Sequence, residues 1–96
     1  MKRFDMMKKI DEKFSKYIIT EPRRAWPEFL LFSKPAFGPK NPIAVKILRA
    51  KVMRKRTRFI LDHLESKGTK CWIITKKGEL TPYDYDPKRK QNFPSS

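Results

Sequence analysis

Seven basic residues and no acid occupy the thirteen positions from Lys46 to Arg58: Lys46, Arg49, Lys51, Arg54, Lys55, Arg56 and Arg58. A planar guanidinium meets phosphate oxygens two at a time, and an ammonium adds a mobile point charge. Such a run is suited to holding a polyanion, because each neutralised phosphate releases condensed counterions. Set at 100° per residue, Lys51, Arg54, Lys55 and Arg58 form a stripe at i, i+3, i+4 and i+7. Arg49 and Arg56 fall instead among Val45, Leu48, Val52, Met53, Phe59, Ile60 and Leu64. An arginine there snorkels along apolar neighbours or finds an acceptor. Two of them one heptad apart suit successive phosphates, or acidic side chains of a partner.

Further basic residues lie outside this run: Arg23-Arg24, Lys34 and Lys40, Lys76-Lys77, and Lys88-Arg89-Lys90. Their spread predicts a chain embedded among nucleic-acid strands rather than one face that reads a groove. Trp26, Phe37, Tyr83 and Phe93 stand beside positive charge in irregular segments, as does Tyr85. They are candidates for stacking on bases or docking on neighbours.

No catalytic residue is expected. His63 is the one histidine; it follows Asp62, with no Ser or Cys nucleophile beside it. Cys71 is the one cysteine and heads an apolar stretch, as an inert buried thiol does. One Cys and one His fall short of a zinc set, and the three glycines form no phosphate loop. No metal or cofactor is expected, nor any small-molecule substrate.

These residues need elements to position them. Residues 3–19 repeat Phe4, Met7, Ile10, Phe14, Tyr17 and Ile18 at helical spacing, predicting an amphipathic helix. Five prolines between 20 and 42 predict an extended arm over 20–41. Asn41 as cap, Pro42 at the first position and Gly68 just past the end predict one long basic helix over 42–67. Such a helix measures about 39 Å, against about 26 Å for a domain of this size. Residues 70–81 read as a β-hairpin turning at Lys76–Glu79, and 82–96 as an irregular tail. The fold expected is therefore one small, mainly α domain with a hairpin: two amphipathic helices joined by a proline-rich arm.

The 96 residues carry 24 Lys+Arg against 10 Asp+Glu, a net charge of +14. So much charge on one small body is self-repulsive until a polyanion meets it. No apolar run is long enough to span a bilayer. The acids Asp5, Asp11 and Glu12 speak against a transit peptide. In size, basicity and its mixture of helix, arm and hairpin the chain resembles ribosomal proteins, organellar ones above all. The resemblance is one of composition and implies an rRNA-binding structural subunit of a ribosome in the mitochondrial matrix, or otherwise the cytoplasm. Its expected partners are rRNA and neighbouring ribosomal proteins, without homo-oligomers. The competing expectation is an accessory subunit of a mitochondrial respiratory membrane complex. There the first helix would lie at the interface and the basic stripe would meet anionic lipid or acidic subunits.

Overall fold

Residues 43–48, Ile-Ala-Val-Lys-Ile-Leu, form the central strand of a sheet. The computed structural model describes residues 2–23 and 27–88. Its elements are α1 (Arg3–Lys13), β1 (Tyr17–Thr20), β2 (Phe29–Ser33), a 3-10 turn (Pro35–Phe37), β3 (Ile43–Leu48), α2 (Lys55–Ser66), β4 (Lys70–Thr75) and β5 (Leu80–Pro82). The five strands lie in sequence order in one sheet. Every neighbouring pair is antiparallel except β3 and β4, which are parallel and joined through α2. The mainly helical fold expected from the sequence is overturned: this is a mixed sheet with a helix on each face.

The core shows why 42–67 is not one helix. Ile43, Val45 and Ile47 meet Phe29, Leu31, Ile74 and α1, which contributes Met6 and Ile10. Ala44 faces the other way, toward Cys71, Ile73 and Leu61 of α2. A strand covered on both faces loses its polar alternation, so its apolar spacing fits a helix equally well. Pro42 caps nothing. Its carbonyl accepts the Lys70 N–H at 3.0 Å, where the parallel pair begins.

Two other predicted segments are corrected. The first helix stops at Lys13 rather than residue 19, because β-branched Ile18, Ile19 and Thr20 belong to edge strand β1. Strand β2 lies inside the supposed arm. Pro27 and Pro35 bracket Phe29–Ser33 without interrupting it, so they delimit a strand rather than forbid one.

The end of α2 and the hairpin follow the sequence. Gly68 has φ +96°, its N–H donates to Glu65, and the Thr69 N–H donates back to Leu64. That is a Schellman termination, which favours glycine in the left-handed region. Strands β4 and β5 pair antiparallel, and Gly78 (φ +87°) closes their turn by donating to the Thr75 carbonyl at 2.9 Å.

The segment after β5 is not free. Tyr83 is buried, its N–H donates to the Cys71 carbonyl, and its hydroxyl donates to the buried Asp62 carboxylate. Residues 89–96 lie outside those described.

Leu61 is fully buried and is the main anchor of α2 on the sheet. Leu61→Ala removes that anchor and leaves a cavity, which costs about 2–5 kcal/mol. Urea unfolding followed by circular dichroism should show the midpoint falling accordingly.

Candidate nucleic-acid interface

Parallel pairing of β3 and β4 sends both carboxyl ends to the same end of the sheet. The loop 49–54 leaves β3 there, and the turn with Lys76 and Lys77 leaves β4 there. Strand β2 runs antiparallel to β3 and β1 antiparallel to β2, so the β1–β2 connection with Arg23 arrives at that end too. Topology thus gathers Arg23, Arg49, Lys51, Arg54, Lys55, Arg56, Lys76 and Lys77, all exposed. None of the eight carries an ion pair to a described residue. Strands β2 to β4 are neighbours about 4.8 Å apart, and the Debye length is about 10 Å at 0.1 M salt, so these charges act together. The predicted spread through the chain is in large part a cluster.

Helix α2 adds its own field. Arg54 is its N-cap, makes no side-chain cap bond, and no acid lies in the first turn. The partial positive charge of a helix amino end ordinarily attracts Asp, Ser or an anion. Here it is surrounded by Arg54, Lys55 and Arg56, and its leading N–H groups are left for a ligand. The sequence reading missed this amino end, because it ran the helix through the loop. The signal present was Arg49, a charge set on the apolar arc that one continuous helix would have to bury.

The acids at this end already have internal roles. Glu21 pairs with Arg3, whose guanidinium also lies 5.0 Å from the Phe29 ring centroid. Glu28 accepts the Lys46 ammonium at 2.7 Å and the Ile47 N–H at 3.1 Å. Its carboxylate thereby stands in for the ladder partner that β2 is too short to supply. Glu79 remains, exposed beside Lys76 and Lys77.

Other predicted residues are placed differently. Lys46 lies on β3, partly buried against Glu28. Arg58 donates to Asp84 at 3.1 Å and lies 5.5 Å from the Tyr83 ring centroid, which ties α2 to the C-terminal segment. Lys88 is exposed in the segment after β5. Tyr83 is a core residue with 5% exposure, closed to a base. Phe37 is 47% exposed in the 3-10 turn, at the opposite end of the sheet. Arg24, Trp26, Arg89, Lys90 and Phe93 lie outside the described residues.

His63 is exposed on α2, whereas the adjacent Asp62 points into the core toward Tyr83. Among the described residues no cluster of His, Cys, Asp and Glu could hold a metal ion, and no helix is long and apolar enough to cross a membrane. No family model, curated protein or solved structure matches this chain.

Burial pushes the Cys71 thiol up to about 12, with Glu65 and Asp62 adding to the effect. From an ordinary 9.0, that leaves about 1000-fold less thiolate at pH 8, and thiolate is the reactive form. Iodoacetamide at pH 8 should leave Cys71 unlabelled in the folded chain and label it readily in 6 M guanidinium, as read by mass spectrometry.

Proposed function

We propose that this chain binds structured RNA through phosphate contacts, as a structural subunit of a ribonucleoprotein particle. One observation carries the reading: basic residues from three separate connections converge, without internal partners, at the carboxyl ends of β3 and β4 around the uncapped amino end of α2. Arg49, Lys51 and Arg54 on the loop, with Lys55 and Arg56 on the first turn, neutralise successive phosphates. Arg23, Lys76 and Lys77 extend the field to either side. The contacts are to backbone oxygens, so recognition is of shape rather than of base identity. The particle proposed is a ribosome in the mitochondrial matrix, as its size and basicity suggest.

The fold gives the membrane-complex reading less support. That reading lays α1 on lipid, yet α1 turns Met6 and Ile10 into the sheet, where both are buried, and exposes Phe4 alone among its large apolar side chains.

Fluorescence anisotropy with a labelled RNA hairpin tests the proposal across 50–300 mM salt. Affinity should fall steeply, with each neutralised phosphate adding about 0.7–0.9 to the slope of log K against log salt. The triple variant Arg49→Gln, Lys51→Gln, Arg54→Gln should flatten that slope by about 2–3 and weaken binding without unfolding the chain. A salt-independent affinity, or an unchanged slope in the triple variant, would overturn the proposal.

Lys46 supplies the contrast. Lys46→Ala leaves the Glu28 carboxylate partly buried without its cation, which lowers stability by about 1–3 kcal/mol. Its urea midpoint should drop while the RNA salt slope of the folded protein stays at the wild-type value.

A further inference from the structure

The face of the sheet that carries α2 is only half covered. Helix α2 packs over β3 and β4, through Leu61 against Ala44, Cys71 and Ile73. On the outer half, Ile18 of β1 and Phe32 of β2 stand directly opposite each other. They are 47% and 48% exposed, while Phe29 and Leu31 on the reverse face of β2 are fully buried under α1. The 3-10 turn at the end of β2 carries Phe37, 47% exposed, with the Lys16 ammonium 5.6 Å from its ring centroid.

The rim of this patch at the end of β2 is basic, while the connection at its other end holds Glu21 and Glu28, paired with Arg3 and Lys46. Lys16 precedes β1, and Lys34 and Lys40 follow β2; the two segments 13–20 and 29–43 hold no acid. At its upper edge the patch runs to the ends of β1 and β2, where the Arg23 connection and the basic loop end of the sheet begin. The five residues of β2 cover about 17 Å. That length separates the basic end of the sheet from the turn with Phe37, with Phe32 and Ile18 between them.

We propose that this bare half-face is a stacking platform for unpaired bases, with Phe32 as its main ring and Phe37 as its second. The proposal rests on the RNA reading above and adds the single-stranded class of substrate to it. Aromatic rings bind bases without reading them, because every base has a π-face, and the lysines follow the phosphates between. A protein occupant fits less well: a stable interface takes about 800 Å² from each side, far more than three half-exposed side chains supply.

The test compares the full chain with Phe32→Ala, Phe37→Ala and Phe32→Tyr. The probes are a labelled 12-nucleotide oligouridine and a labelled RNA duplex of equal length, at one salt concentration. Phe32→Ala should weaken oligouridine binding by about 5- to 100-fold, and Phe37→Ala by less. Both should leave duplex affinity and salt slope unchanged, since no charge is removed. Phe32→Tyr keeps a ring and should keep the affinity, which separates stacking from a folding defect.

Equal losses on both probes, or none on either, would overturn the platform while leaving phosphate binding standing. So would an unchanged oligouridine affinity together with loss of self-association by sedimentation, since the face would then hold a second copy of the chain. Failure of the wild type to bind either probe would overturn both readings.

Discussion

Two parallel strands cannot be joined by a tight turn. The chain must cross over the sheet, and here it crosses as a helix. The pairing of β3 with β4 over six residues is therefore the constraint from which the rest of this small fold follows. It lays α2 on one face and makes β3 a strand that needs cover on both. Helix α1 supplies the second cover with Met6 and Ile10. The antiparallel strands β1, β2 and β5 extend the sheet on either side, and one helix on the α2 face, about 10 Å wide, covers about two strands of the five. Buried core and bare half-face thus share one cause.

The same crossover fixes the electrostatics. A helix that begins where a parallel strand ends aims its amino end past the edge of the sheet. Most sequences place Ser, Asp or Thr there, and this one places Arg54, Lys55 and Arg56. Each cation in that turn is unfavourable by a few tenths to about 1 kcal/mol. The helix is held by other means: the Schellman turn at Gly68, the Leu61 contact, and the tie from Arg58 to Asp84. Local stability is weakened at the point where an anion would be bound best, a conflict that marks functional sites more than scaffolds.

How much of this was legible in the sequence depends on the residue. Gly68 and Gly78 announced the end of α2 and the hairpin turn, because a left-handed backbone leaves little choice of residue. The basic run was legible as charge, but its shape was not. Residues 43–48 fit two periods at once, and only the covering helices decide between them. Proline spacing suggested an arm, yet Pro27 and Pro35 frame β2 rather than exclude it. Phe32 reads in the sequence as one more apolar anchor of the proline-rich segment, because its exposure depends on which strands α2 covers, which no local pattern records. Lys46 and Arg58 looked like their neighbours in the run and differ only through long-range partners, Glu28 and Asp84.

Those partners show how the chain divides its few acids. Glu21, Glu28, Asp62 and Asp84 each meet an internal need: a side chain of α1, an unpaired strand N–H, a buried tyrosine hydroxyl, the C-terminal segment. Acids so placed hold distant segments together, but they do little to offset charge on the open end of the sheet. Salt then acts in two opposite directions. It screens the self-repulsion of the free chain and so favours its compact state, while it weakens the hold on phosphate. At low salt the free fold is under most strain and the polyanion is bound most tightly, so binding stabilises the fold most where the fold needs it most. On the proposed RNA reading, a bound polyanion offsets the self-repulsion that the free chain carries.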